Sequence, residues 1–270
     1  MLTPTIRWIG VAAASILANA VLIISLCRLL KRAELLTIAR EKSTLDLQNL
    51  QQAFHQFAPQ RVVEEVIKRG VSTSGETREV TVLFADIVEF TAMSETVDPE
   101  TLVRILNGYF EATCTAVTHH GGHIAKFLGD GIMAIFGAPE NNAWQSLDAV
   151  IAALTMREAV RKYNEELGRQ GLPSLDVRIG VHKGTVVAGV VGSTENLEYT
   201  VIGDVVNTAA RIESLTRKHG VDILISADVR PALDDRFQVR ELPPEYVKGK
   251  AEPIVTFAVE GFRGEFAEVD

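Results

Sequence analysis

Several hydrophobic patterns succeed one another along the chain. From Trp8 to Leu30 the sequence is almost wholly apolar, broken only by Gly10, small polar residues and Arg28. Such a run is long enough to cross a bilayer core, which takes ~20 residues. Residues 31–68 are rich in Leu, Glu, Gln, Arg and Ala and predict a helical, coiled-coil-like linker. Leu47, Leu50, Phe54 and Phe57 keep a seam spacing, while Leu35, Ile38 and Leu45 keep a similar rhythm in another phase, with Lys42 where an apolar residue belongs. A phase break locally alters coiling and suits a switch between span and domain, although packing on the domain's own surface explains the stripe as well. Pro59 interrupts the pattern, Val62, Val63, Val66 and Ile67 line one face of a short helix, and 69–78 reads as a loop.

From Glu79 onward strand-like and helical periods alternate. Strands are predicted at 79–86, 122–128, 132–136, 176–182, 186–191, 198–202, 221–226 and 254–259, and helices at 99–119, 143–168 and 205–219. A hairpin at 122–136 and this mixed order predict an α+β domain over 79–262, with helices packed on one side of a mostly antiparallel sheet. Residues 1–7 and 263–270 are left as a stub and a tail.

Charge and composition narrow the picture. With 27 Lys+Arg against 35 Asp+Glu, the net charge of −8 argues against nucleic-acid binding through a basic surface. Cys27 and Cys114 suggest no disulfide framework. His119, His120 and His123 lack zinc-ligand spacing and read as a solvated helix end. For the span at 8–30, a cleaved signal peptide is the rival reading. Its basic region is reduced to Arg7, and no small-residue cleavage site precedes the helical sequence, which favours a retained anchor. Arg28, Lys31, Arg32, Arg40 and Lys42 lie after the span, so the positive-inside rule puts the rest of the chain in the cytoplasm, at a plasma or inner membrane. Gly10, Ala14 and Ala18 share a helix face at small-xxx-small spacing.

Two segments carry candidate metal chemistry. Val82 to Thr91 is an apolar strand that ends on Asp86 and enters a short turn, and Lys126-Phe127-Leu128-Gly129-Asp130-Gly131 forms a hairpin tip carrying another carboxylate. Aspartates at strand ends can hold divalent metal against a nucleoside triphosphate. An ordinary helix cap at Asp86 and an ordinary Asp-Gly turn at Asp130 explain either segment alone. They do not explain both together with the polar pair on the helix at 205–219. There, Glu198 to Ile212 is a short strand that turns at Gly203-Asp204 into that helix, and Asn207 and Arg211, four apart, share one face of it. An amide beside a guanidinium suits a ribose oxygen and a phosphate whose charge changes during reaction. A merely solvated polar face fits poorly beside Val205, Val206, Ala209, Ala210 and Ile212.

The runs F-A-D-I-V-x-F-T at 84–91, K-F-L-G-D-G at 126–131, I-G-V-H at 179–182, V-I-G-D-V-V-N-T-A-A-R-I-E at 201–213 and V-K-G-K at 247–250 resemble a class III nucleotidyl cyclase catalytic domain. The resemblance covers roughly 79–260. It implies a ferredoxin-like α+β domain that works as a homodimer, with active sites at the interface of two chains. By resemblance, Asp86 and Asp130 are metal ligands assisted by the Ile87 carbonyl, and two Mg2+ or Mn2+ ions serve each site. Phe90 and Thr91 match the turn whose amides hold phosphate. Lys126 and Thr200 match the pair that reads the base, Asn207 and Arg211 the transition-state residues, and Lys248 a triphosphate-binding lysine. The metal carboxylates would come from one chain, and Asn207, Arg211, Lys126 and Thr200 from the other.

Lys can donate to adenine N1 and Thr can accept from the 6-amino group, whereas guanylate cyclases usually carry Glu and Cys. The resemblance therefore implies an adenylate cyclase that converts ATP to cyclic AMP and pyrophosphate. A guanylate cyclase and a catalytically silent nucleotide-binding signalling module are the alternatives. The Lys/Thr pair resembles a subclass in which several members respond to bicarbonate, which leaves a bicarbonate or membrane-derived input open. One departure stands out. Glu89 occupies a position where the family most often has glycine, so that a carboxylate in the phosphate turn either faces the triphosphate or points to solvent.

Overall fold

The computed structural model describes residues 28–49 except 33, 35, 39 and 41, and residues 75–264 except 194–196. The upstream unit is described over 28–49 only, where it is helical and exposed throughout. Of the expected apolar stripes, Ile38, Leu45 and Leu47 lie on described residues and stand open to solvent; Leu35, Leu50, Phe54 and Phe57 lie outside them. The expected span also lies outside the described residues except for its last three. Among the described residues no helix is long and apolar enough to cross a membrane.

The downstream unit runs β1 (Glu76–Ile87), α1 (Phe90–Thr96), α2 (Pro99–His119), β2 (His123–Leu128), β3 (Gly131–Phe136), α3 (Gln145–Arg169), β4 (Val177–Gly192), β5 (Leu197–Ile202), α4 (Asp204–His219), β6 (Ile223–Ser226), a 3-10 turn at Arg230–Ala232, β7 (Phe237–Glu241) and β8 (Thr256–Phe262). The sheet order is β2-β3-β1-β4-β6-β8-β7, with β5 paired to the far half of β4. Every pairing of named strands is antiparallel except β4 with β6. The expected mostly antiparallel α+β sheet is therefore present.

The expectation of helices on one side is corrected. Leu83, Ala85 and Ile87 of β1 pack with Ile105, Tyr109, Ala153 and Met156 of α2 and α3. Val80 and Val82 face the other way, into a cluster with Met133, Ile135, Val201 and Ala209, the last of these on α4. The cause is legible in β1 itself: Val80 to Ala85 is apolar at nearly every position, so both faces of this central strand require cover. Three further boundaries differ from expectation. The predicted pair of strands at 176–182 and 186–191 is one long β4, because Lys183, Gly184 and Thr185 between them stay in the ladder opposite Thr81, Val80 and Glu79. β7 is missed, being alternately polar at the surface. β1 begins at Glu76, inside the expected loop.

Local signals set the helix ends. Asp98 accepts a hydrogen bond from Thr101 N at 3.0 Å, with Pro99 in the first turn of α2, a favourable helix start. Gly220 ends α4 in the left-handed region at φ 64°, where Val221 N donates to Thr216 O at 3.1 Å.

A close backbone approach joins α4 to β4. A Cβ on Gly180 would stand 2.2 Å from Glu213 N and 2.6 Å from Glu213 Cα. Helix backbone thus rests on strand backbone, and no rotamer change can make room for a side chain. We expect Gly180→Ala to lower stability by about 1–3 kcal/mol, the usual cost of overpacking a filled core, measured as a lower midpoint in urea at unchanged m-value.

Candidate active site

Side chains alternate along β1, so Asp86 projects from the face that carries Val80 and Val82 and that α4 covers. Asp130 occupies the second position of the two-residue turn between Leu128 and Gly131. Gly129 precedes it at φ 72°, which glycine adopts without strain at the first position of a tight hairpin. A Cβ on Gly131 would lie 3.3 Å from Asp86 Oδ1, so the hairpin tip abuts the end of β1. There Asp86 and Asp130 share a hydrogen bond when one is protonated.

Burial, then Asp130 through its hydrogen bond and charge, then the charge of Glu213, push the Asp86 carboxyl up to about 7. Glu213 on α4 is itself raised, first by burial and also by Asp130, against the opposing effects of the Ser214 hydroxyl and the Arg178 guanidinium. Arg178 stands directly across the ladder from Asp86. The hydroxyl of fully buried Tyr109 has no hydrogen-bond partner among the described residues, and burial and then the charges of Asp86 and Asp130 raise its pKa. Carboxylates crowded until one is forced towards protonation suit a divalent cation, which removes the repulsion. Among the described residues no three His, Cys, Asp or Glu side chains are grouped to hold an ion. The donor set is thus two carboxylates with the Ile87 carbonyl nearby in sequence, and Glu213 stands behind it.

Phe90 and Thr91 open α1 rather than lying in an irregular turn. Glu89 precedes them in the left-handed region, at φ 56° and ψ 28°. Its side chain is exposed, so the strain lies in the backbone, where a non-glycine residue is disfavoured.

Lys126 owes its direction to a bulge. His123 pairs with Ile135 and Lys126 with Met133, so one extra residue sits between Ile124 and Lys126. The bulge changes the alternation and brings His123 and Lys126, three apart, onto one face. There Lys126 Nζ meets Glu198 Oε2 of β5 at 3.0 Å. Thr200, buried, lies two residues further along that strand. His123 corrects the expectation of a solvated histidine: its ring lies edge-on to Tyr199, 6.2 Å between centroids, and burial lowers its pKa to about 4.

On α4, Asn207 is exposed and Arg211 half-buried. Arg211 Nη1 lies 3.8 Å from Asp204 Oδ1, is buried, and has no hydrogen-bond partner among the described residues. Gly249 caps this guanidinium, since a Cβ there would stand 3.3 Å from Nη2. Lys250 Nζ contacts Asp204 Oδ2 at 2.5 Å, while Lys248, two residues earlier, is exposed. The structure therefore brings together Asp86 with Asp130, Lys126 with the strand of Thr200, and Arg211 with the 248–250 loop. Among the described residues no hydrogen bond or ion pair joins Asn207 or Arg211 to Asp86 or Asp130.

Residues 73–261 match the family described as adenylate and guanylate cyclase catalytic domain. The chain belongs to this cyclase family. An adenylate cyclase of Anabaena cylindrica is 38% identical over 229 residues, covering 81% of this chain and 43% of that protein. Adenylate cyclase 1 of Rhizobium meliloti (strain 1021) is 33% identical over 206 residues, covering 74% of this chain and 31% of that protein. The chain thus spans less than half the length of these relatives. Among solved structures, the guanylyl cyclase Cya2 superposes with a TM-score of 0.64 at 38% identity, covering 70% of this chain and 94% of that one. The adenylyl cyclase CyaB from P. aeruginosa gives 0.66 at 30% identity, covering 70% and 97%.

For the cyclase domain, reading residue by residue misses Arg178, Glu198, Glu213 and Lys250. Glu213 closes the A-A-R-I-E run and Lys250 the V-K-G-K run, so both lie inside family motifs, but only packing shows which way they face.

The folded-state pKa of Asp86 lies above its ordinary 3.8, so the folded chain binds more protons than the unfolded one between about 4 and 7. Metal-free stability then falls as pH rises through that window and levels above it. Asp86→Asn should flatten this fall and melt above wild type at pH 8 without metal, while Mg2+ or Mn2+ should raise the melting temperature of wild type alone. Glu89→Gly relieves a left-handed cost of about 1–2 kcal/mol but adds about 0.5–1 kcal/mol of chain entropy. It should leave stability equal or slightly higher, read by urea denaturation.

Proposed function

We propose that this chain is an adenylate cyclase that forms 3',5'-cyclic AMP and pyrophosphate from ATP as a homodimer. The observation that carries the reading is the convergence of Asp86 and Asp130, whose mutual repulsion calls for divalent cations, in a domain whose base-reading positions hold Lys126 and Thr200. Domains of this class bind nucleotide substrates and typically function as dimers.

Two Mg2+ or Mn2+ ions held by Asp86, Asp130 and the Ile87 carbonyl would acidify the ribose 3'-hydroxyl and neutralise the triphosphate. The 3'-oxygen, its proton passed to solvent, would then attack the α-phosphorus, the bond to the bridging oxygen would break, and pyrophosphate would leave with that electron pair. In this reading the amides of Phe90 and Thr91 and the ammonium of Lys248 hold phosphate oxygens. Lys126 donates to adenine N1, and Thr200 accepts from the 6-amino group. Asn207 orients the ribose, and Arg211 offers its Nη1–H, which makes no hydrogen bond among the described residues, to charge developing on the transferred phosphate.

The division of α4 supports a site shared between chains. Glu213 faces the Asp86 and Asp130 side, while Arg211, two positions earlier, is turned by about 200° towards Gly249. Asn207 lies on the Arg211 side, so one copy cannot present these groups to its own carboxylates. We further propose that residues 8–30 anchor the chain in a plasma or inner membrane, with the domain on the cytoplasmic side. In this reading the helical 31–68 segment pairs two chains and passes on a membrane-derived or bicarbonate input.

Product formation from ATP and from GTP, with Mg2+ and with Mn2+, tests the activity: cyclic AMP alone is expected, cyclic GMP in excess would make it a guanylate cyclase, and neither would make it a silent binding module. For the shared site, Asp86→Asn and Asn207→Ala should each lose about 10²–10³-fold or more. Mixed and allowed to exchange, half of the dimers carry one intact site of two, so activity should recover to roughly a quarter of wild type. Verified heterodimers without recovery would sink the shared-site reading.

A further inference from the structure

A carboxylate of the same chain stands ready to compete for the Arg211 donor. Asp204 opens α4, and Arg211 lies about two turns further along, on the same face. Long helical side chains lean towards the N-terminus. The guanidinium does so until Nη1 stands 3.8 Å from Asp204 Oδ1, about 1 Å beyond hydrogen-bond reach. The other carboxylate oxygen, Oδ2, is taken by Lys250 Nζ at 2.5 Å. Lys250 is the first cause that holds the Asp204 carboxyl below the usual carboxylate range, ahead of Arg211 and Thr208. A carboxylate in the first turn of a helix and a part-exposed ion pair are ordinary surface features, each worth little in stability. They do not account for a buried Nη1 that stops short of a carboxylate and makes no hydrogen bond among the described residues.

We propose that Lys250 is a positioning residue for the cyclisation: by occupying Asp204 it keeps that carboxylate off Arg211 and leaves Nη1–H open to the phosphate. This rests on the assignment of Arg211 to the transferred phosphate. The competition is between like acceptors, since a carboxylate and a phosphate oxygen both take charged N–H donors well. Asp204 is always present, and without its ammonium it needs only a short rotation to take the donor and cancel its charge. The 248–250 loop then has two tasks in this reading. Lys248 holds the triphosphate, Lys250 neutralises the carboxylate beside Arg211, and Gly249 between them covers the guanidinium.

The full-length chain is assayed for cyclic nucleotide formation. In parallel, Arg211 is scored by mass spectrometry for its reaction with phenylglyoxal, a readout independent of turnover. Lys250→Met should lower kcat ~10²-fold with KM within about threefold of wild type, as when a donor used only in the transition state is withdrawn. Labelling of Arg211 should fall about threefold, because an adjacent carboxylate holds the guanidinium in its charged, unreactive form. Unfolding would raise labelling, so a fall reports the closed pair. Asp204→Asn alone should keep kcat within about threefold of wild type. Added to Lys250→Met, it should return kcat to within about tenfold of wild type and restore labelling, a rescue that measures the coupling of the two residues. Lys250→Arg, which keeps the ion pair, should preserve both readouts. A double variant no more active than Lys250→Met overturns the proposal. A lysine that itself binds phosphate, or one that only packs the loop, cannot be replaced by removing a carboxylate's charge. Unchanged Arg211 labelling in Lys250→Met overturns it equally. If the wild type forms no cyclic nucleotide, the cyclase reading fails instead, and labelling still decides whether Lys250 keeps Asp204 off Arg211.

Discussion

The contact on which the site depends is the one without a side chain, where Glu213 backbone rests on Gly180. It presses α4 onto β4 at the level of Phe84, two residues before Asp86, since Gly180 is the ladder partner of Phe84. That approach fixes the rotation of the helix. One face turns Glu213 towards the carboxylate pair, and the opposite face turns Arg211 under Gly249 beside Asp204 and Lys250. A side chain at 180 would therefore disturb more than packing density: it would move both charged groups of α4 at once, because they are rigidly linked through one helix. Arg178, one pleat along from Gly180, offsets the negative charge of this corner by standing opposite Asp86 and opposing the rise of the Glu213 pKa.

Much of this is legible from the order of residues. The central helix at 99–119 comes from Asp98-Pro99 and its apolar period, and the hairpin tip from Gly129-Asp130-Gly131. The doubly apolar β1 also contains the information that a second layer must cover the sheet, which a one-sided arrangement overlooks. What local pattern cannot supply is the bulge before Lys126. It changes which face every later residue of β2 occupies, yet it costs one residue and leaves no composition signal. The opposite roles of Arg211 and Glu213 are similarly hidden. Both sit in one helical run, and only the packing of α4 on Gly180 decides which face is inward.

The site also concentrates unfavourable interactions. Asp86 is held where burial and two other carboxylates oppose its ionisation, Glu89 holds a backbone conformation suited to glycine, and Arg211 buries a donor for which the described residues provide no acceptor. Each is a small loss of stability. For the carboxylates and for Arg211 it leaves an opening for a ligand group of defined charge: cations for the first, an anionic oxygen for the second. Strain at Glu89 has no such complement, since its side chain is exposed. It is a departure for which the described residues offer no compensating contact.

These openings are separated in space within one chain, and that separation bears on assembly. A nucleoside triphosphate presents its base, its ribose and its phosphates in a fixed order. A protein that splits the matching donors between opposite faces of one helix cannot close around such a ligand alone. In the proposed homodimer, a second copy related by a two-fold axis would resolve this by bringing the Arg211 face of one chain to the Asp86 corner of the other, twice over. On this view the inward Glu213 and the outward Arg211 are two consequences of one helix orientation. In the proposed homodimer, the same geometry that completes the charge cluster in one chain would make its catalytic partner a residue of the other.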